Sequence, residues 1–275
     1  MENFLLIDGS YYCFYRYYAT LAWWNTIKKF SDDPKLKECD NPTESAEFSC
    51  KFKELFIKKI HEFIRKLKIT NPYVIVAKDC HRQQIWRNEL HSTYKSTRVT
   101  DDSFMGGPFF KLAYQELFND PLIKKVIFNE RLEADDCLAI TTRWIKEHFP
   151  TAKITIVASD NDYLQLASEQ VSIINLKYKN IRESKTSFKN AEKDLFCKIV
   201  TGDKSDNIPG IFKKCGIKTA EKYFNDNDAF IKQLNIENAD ATYARNKQLI
   251  DFNMIPVEYV NEVKQQLDEL SIKPV

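Results

Sequence analysis

Three short apolar runs in this chain each lead to an aspartate. Phe4-Leu5-Leu6-Ile7 runs into Asp8, Tyr73-Val74-Ile75-Val76-Ala77 reaches Asp79 one residue further on, and Ile154-Thr155-Ile156-Val157-Ala158 leads through Ser159 to Asp160 and Asp162. Short, almost wholly apolar runs of this kind predict strands buried on both faces, the pattern of a parallel sheet covered by helices. In an open α/β sheet, sites form in the crevice beyond the carboxyl ends of such strands. The aspartates therefore fall where chemistry is expected.

A fourth stretch supplies more acid. Glu133-Ala134-Asp135-Asp136 precedes the apolar Cys137-Leu138-Ala139-Ile140, the pattern of a helix start. Acidic residues in a first turn meet the positive end of the helix dipole and cap free N–H groups, which would account for one of them. Glu133 and Asp136, three apart, share a face, while Asp135 projects about 100° round from Asp136. Together with Asp8, Asp79, Asp160 and Asp162 they would crowd one pocket with carboxylates that could not all stay ionised without a counter-charge. Hard oxygen donors in such number call for Mg2+ or Mn2+.

The chain of 275 residues suits an α/β domain with an appended helical part. Its 43% hydrophobic and 13% aromatic content predicts a globular protein. A net charge of +2, from 41 basic and 39 acidic residues, is consistent with acids gathered at a site and bases around it. Seven scattered cysteines with no CxxC spacing predict reduced thiols in an intracellular protein, cytoplasmic or nuclear, and neither a zinc site nor a disulfide framework. The N-terminus has no basic, signal-like start, and no run approaches membrane-spanning length, so no membrane partner is expected.

The remaining segments suggest a polyanion. An aromatic helix follows Asp8-Gly9-Ser10, and Arg16 within it lies close behind Asp8, where a guanidinium could hold a phosphate. Residues 25–47 read as a surface excursion, and Phe48–Leu67 as an amphipathic scaffold helix. Residues 78–98 carry Lys78, His81, Arg82, Arg87, His91, Lys95 and Arg98 among Trp86 and Tyr94, a mixture suited to gripping phosphates and stacking bases. Thr100-Asp101-Asp102-Ser103 and Gly106-Gly107-Pro108 predict a flexible gate, followed by a helix over Phe109–Phe118 and a strand near Val126-Ile127-Phe128. Farther on, Gly202 to Ile211 and Gly216-Ile217-Lys218-Thr219-Ala220 predict a helix, an extended turn and a second helix. Gly202, Gly210 and Gly216 let backbone N–H groups approach a phosphate, and a helix start near Lys218 and Thr219 favours the anion. Asp203 and Asp206 read as turn caps or, together, as outer ligands of the acid pocket. Three further helical stretches complete the chain.

These segments, in this order, resemble the structure-specific 5′ nucleases, which include phage flap endonucleases and the 5′ nuclease domain of bacterial DNA polymerase I. The resemblance rests on Leu6-Ile7-Asp8-Gly9-Ser10 with Tyr15-Arg16, Tyr94-Lys95-Ser96-Thr97-Arg98, Glu133-Ala134-Asp135-Asp136, Ser159-Asp160-Asn161-Asp162, and Gly202-Asp203 through Asp206-Asn207-Ile208-Pro209-Gly210. It implies a PIN-like α/β core with a mostly parallel central sheet over residues 1–185, including a helical arch about residues 79–118. It also implies a helix-three-turn-helix region over 186–275 that grips duplex DNA through a potassium ion. Two Mg2+ ions would be held by Asp8, Asp79, Glu133, Asp135, Asp136, Asp160, Asp162 and Asp206, with Asp203 a weaker candidate. Lys95 and Arg98 would face the scissile phosphate, assisted by Arg16. Expected partners are DNA with a 5′ flap, nick or free 5′ end, and RNA primer strands, acted on by a monomer. Two other readings stand beside this one: a PIN-like ribonuclease, and an inactive DNA-binding module. The sequence departs from the family pattern at Lys78-Asp79-Cys80 and in a short, base-poor segment from Asp101 to Pro108.

Overall fold

A computed structural model of the chain describes residues 2–39, 41–98 and 103–270. In chain order the elements are β1 (Asn3–Asp8), α1 (Gly9–Phe30), α2 (Pro34–Glu38), α3 (Ala46–Lys66), β2 (Tyr73–Lys78), α4 (Arg87–Leu90), α5 (Gly107–Gln115), β3 (Ile123–Phe128), α6 (Ala134–His148), β4 (Lys153–Val157) and β5 (Val171–Ile174). Helices follow: α7 (Ala191–Thr201), α8 (Ile217–Asn225), α9 (Asn227–Glu237), α10 (Asp240–Ile250) and α11 (Val257–Asp268).

The strands form one sheet in the order β3-β2-β1-β4-β5, with every pairing parallel. Alternate residues of a strand face opposite sides, and both sides are covered. Phe4, Leu6, Ile75, Ala77, Ile154 and Ile156 join a cluster with α6 and α11, while Leu5, Ile7, Val74, Val76 and Val157 join one with α1, α3 and α5. Double coverage is why the central strands β1, β2 and β4 read as almost wholly apolar runs. The strand order reverses at β1, with β2 on one side and β4 on the other, so the carboxyl ends of these three strands flank a topological switch point.

Two stretches differ from expectation. The surface excursion expected from residue 25 begins later, because α1 continues to Phe30. Its second half buries Thr20 and Trp24, and the Trp24 ring meets Phe48 of α3 edge-on at 6.0 Å, so burial carries the helix through a polar sequence. The span expected to form an arch holds a 3-10 turn at Arg82–Gln84, the single turn of α4, and α5, whose Phe109 packs into the aromatic cluster beneath α1. Thr100, Asp101 and Asp102 of the expected gate lie outside the described residues.

Between α7 and α8 the chain makes an extended turn closed by paired backbone bonds between Asp203 and Ile208, at 2.9 and 2.7 Å. Gly202 stands at φ 73°, where a Cβ would come within 2.4 Å of the Ile208 carbonyl oxygen, so only glycine fits there. Val200, Ile211, Phe212, Ala220 and Phe230 form a separate small core that holds this turn. The last helix, α11, returns to the main sheet and buries Val263 and Leu267 in the cluster under α6.

Candidate active site

The carboxyl ends of β1, β2 and β4 open into a cavity of about 310 Å³. Asp8, Asp79, Glu133, Asp135 and Asp160 line it, together with Lys95, Arg98, Arg82 and Tyr163. Each acid is held by local structure. Asp8 caps α1 by accepting from the Tyr11 N–H at 2.9 Å, and its other oxygen accepts from the Tyr163 hydroxyl at 2.9 Å. Asp79 reaches across to accept from the Ala134 N–H at 2.8 Å, satisfying a free donor at the start of α6. Asp160 caps the following 3-10 turn through the Asp162 N–H at 3.0 Å.

The electrostatics are those of uncompensated acids. Burial, then the neighbouring Asp79 and Asp160, push the Asp8 carboxyl up to about 7, against hydrogen bonds from Tyr11 and Tyr163 that favour its charge. Asp135 is held well above the ordinary carboxylate range by burial and by Glu133 and Asp136 beside it. Among the described residues, no lysine or arginine forms an ion pair with Asp8, Asp79, Asp135 or Asp160.

The basic side of the cavity is supported from behind. Lys95 adopts a left-handed backbone, φ 56°, fixed by its N–H donating to the Asp206 carbonyl at 2.9 Å. Its ammonium pairs with Glu133 and, at 3.5 Å, with Asp206. Burial lowers the Lys95 ammonium, but Glu133 and Asp206 more than offset that and hold it above its ordinary value. Arg98 pairs with the other oxygen of Asp206. The Arg82 guanidinium donates to the carbonyls of Lys95 and, at 3.1 Å, of Arg98, clamping the segment that carries both.

Asp162, Asp203 and Asp206 form a second acidic group, with one oxygen from each lying within 4.8 Å of the others. Lys198 of α7 pairs with Asp162 and, at 2.8 Å, with Asp203. The cost of burying Asp203 is outweighed by Lys198 and by bonds from Ser205, which lower its carboxyl to about 2. Asp203 also accepts from the Ser205 N–H at 2.7 Å, so its turn-capping role is present in the fold.

Three expected residues are placed otherwise. Asp136 is fully buried and takes both guanidinium nitrogens of Arg87 at 2.6 Å and the Trp86 indole N–H at 3.1 Å. It does not line the cavity and its oxygens take these bonds, yet one oxygen each of Glu133, Asp135 and Asp136 lie within 4.8 Å of one another, so it stands as a buried anchor directly behind the cavity acids. Tyr94 is buried, and its hydroxyl, with one proton to donate, lies between the Glu133 and Asp206 carboxylates at 2.9 and 3.1 Å. With its ring in a small apolar core it has no face free to stack a base. Arg16 is only 7% exposed, lies 5.0 Å from the Tyr15 ring centroid and is not among the cavity residues; packing on α1 keeps it from the phosphate position expected for it. Gly202, Gly210, Gly216, Lys218 and Thr219 all lie in the turn or the first turn of α8, away from the first cavity, with Lys218 exposed.

Residues 3–194 match the family described as 5′-3′ exonuclease, N-terminal resolvase-like domain. The chain belongs to the 5′-3′ exonuclease family. Among its relatives, a 5′-3′ exonuclease of Halalkalibacterium halodurans is 28% identical over 90% of this chain and 78% of its own length. The Ribonuclease H of Enterobacteria phage T4 is 27% identical over 81% of this chain and 78% of its own. In fold, the chain is similar to the bacteriophage T5 flap endonuclease in a complex with DNA and metal ions, with a TM-score of 0.69 at 15% identity, covering 98% of this chain and all of that one.

Within this 5′-3′ exonuclease fold, four supporting residues were not singled out from the sequence: Arg82, Arg87, Tyr163 and Lys198. The two arginines were visible only as members of a basic run. Tyr163 and Lys198 sit in ordinary helical patterns, and the signal that could have found them is their nearness in sequence to acids, Tyr163 beside Asp162 and Lys198 five residues before Asp203.

Proposed function

We propose that this chain is a divalent-metal-dependent, structure-specific 5′ nuclease that hydrolyses phosphodiesters near 5′ flaps, nicks or free 5′ ends of duplex DNA. The observation that carries this reading is the meeting, in one cavity, of Asp8, Asp79, Glu133, Asp135 and Asp160 opposite Lys95 and Arg98. The donor set fits Mg2+ or Mn2+: apart from Cys80, the potential ligands around the cavity are hard oxygens, and the raised Asp8 carboxyl marks charge that a dication would relieve. Asp8, Asp79, Asp135 and Asp160 are the residues that would hold such ions, with Glu133 shared with Lys95. When bound, divalent ions supply Lewis-acid stabilisation of the phosphate and an activated water.

The protein's own groups do the rest. Lys95 and Arg98 offer positive charge where negative charge grows on the transferring phosphate, and Arg82 fixes the backbone from which they project. The turn from Gly202 to Gly210 and the start of α8 at Lys218 and Thr219 would hold the duplex backbone through N–H groups, with K+ as the mediating cation. In this reading residues 1–185 are the nuclease core, residues 186–275 the duplex-gripping region, and the protein works as a monomer in a reducing compartment.

A second substrate is favoured by the likeness to a phage Ribonuclease H: the 5′ strand removed could be RNA paired to DNA. One experiment tests both readings. A labelled 5′ flap, made once in DNA and once with an RNA flap strand, is incubated with Mg2+, Mn2+ or EDTA. Cleavage near the junction with either metal and none in EDTA is expected; cleavage that persists in EDTA, or none of either strand with metal, would overturn the proposal.

A further inference from the structure

The two acidic groups are compensated differently: in the first Lys95 pairs with Glu133 alone among the cavity acids, whereas in the second Lys198 sits between two carboxylates. Lys198 and the two carboxylates it pairs with are largely buried, their side chains 20%, 15% and 14% exposed for Lys198, Asp162 and Asp203. The three come from different places: Asp162 follows β4, Lys198 lies in the last turn of α7, and Asp203 is in the turn beyond. No such cation sits against Asp8, Asp79, Asp135 or Asp160 among the described residues. An ammonium at 2.8 Å from Asp203 uses the same oxygen lone pairs that a divalent ion would need, and adds like-charge repulsion against it.

Resting on the nuclease reading above, we propose that Lys198 is the resident counter-cation of the Asp162–Asp203 pair and must be displaced when a divalent ion binds there. Lys198 is thus a positioning residue that keeps the second acidic group assembled in the metal-free protein and sets how weakly that group takes its ion. Two cations that exclude each other have a reciprocal effect on affinity, and couplings of this kind are worth about fivefold or more.

Binding of Mn2+ without DNA, followed by electron paramagnetic resonance of the free ion, reads this directly. In the wild type a tighter and a weaker class of site are expected. Lys198→Gln should tighten the weaker class by about fivefold or more and leave the other unchanged. Lys198→Arg should keep the wild-type pattern, as should Lys232→Gln at an exposed position on α9. An unaltered or weakened second class in Lys198→Gln would overturn the proposal. A measurement on the unaltered protein stands independently of how the variants fold: Mn2+ should speed amine-reagent labelling of Lys198, read by mass spectrometry, and labelling that does not respond to bound Mn2+ would overturn it. A wild type that binds no Mn2+ at all would instead sink the metal-dependent reading on which this one rests.

Discussion

Asp8 and Asp135 carry the chemical strain of this fold, because each is pressed against other acids without a basic partner. For Asp8 the sign of the pH effect follows from its raised carboxyl. Folded, it binds its proton up to about pH 7, whereas unfolded it loses it near about pH 4. Its contribution is therefore most favourable below about pH 4 and is lost progressively as pH rises to about 7. In EDTA the melting temperature should fall between pH 5 and pH 7.5, Asp8→Asn should flatten that fall, and Mg2+ should raise the melting temperature more at pH 7.5 than at pH 5. Equal gains at both values, by differential scanning fluorimetry, would contradict the charge argument. Asp135→Asn should lower flap cleavage by more than about a hundredfold, the upper end of what losing even an outer metal partner costs, while DNA binding persists. Lys95→Ala should slow single-turnover cleavage by about a hundredfold to a thousandfold with a smaller effect on affinity. A wild-type single-turnover rate would remove Lys95 from the chemistry.

Among the elements, Arg87 does the joining. It stands at the start of α4, grips Asp136 of α6 with two bonds of 2.6 Å, touches Glu133 at 3.4 Å, and donates to the Leu249 carbonyl at the end of α10 at 2.7 Å. Removing it would leave the fully buried Asp136 without its counter-charge. Arg87→Ala should therefore cost about 3–5 kcal/mol of stability in urea unfolding, far more than an exposed arginine would; a loss below about 1 kcal/mol would refute this role. The same contact explains what could and could not be read in advance. The strand-end acids were legible because a doubly covered parallel strand carries no charged residue in its buried run, so Asp8, Asp79 and Asp160 stood out. Glu133-Ala134-Asp135-Asp136 was legible as an acidic helix start, but not the division within it, in which Asp135 faces the cavity and Asp136 turns inward. That division depends on an arginine 49 residues away that looked like any other member of a basic run. Tyr94 was misread for the same reason: an aromatic among bases suggests stacking, and only its burial and its two acid partners reveal a strut.

Across the whole molecule, the sheet and the C-terminal helices meet at the acids. Glu133 and Asp162 stand on the side of the sheet and α6, Asp203 and Asp206 in the turn after α7, and two lysines bridge the sides: Lys95 from Glu133 to Asp206, and Lys198 from Asp162 to Asp203. A chain that brings so many like charges into one region without enough bases to balance them has built a place for dications. The most direct test of that claim is a crystal grown with Mn2+ and measured at a wavelength where manganese scatters anomalously. An anomalous peak is expected in the cavity between Asp8, Asp79, Asp135 and Asp160. A cavity with no peak at saturating Mn2+, or manganese bound only elsewhere on the protein, would contradict it.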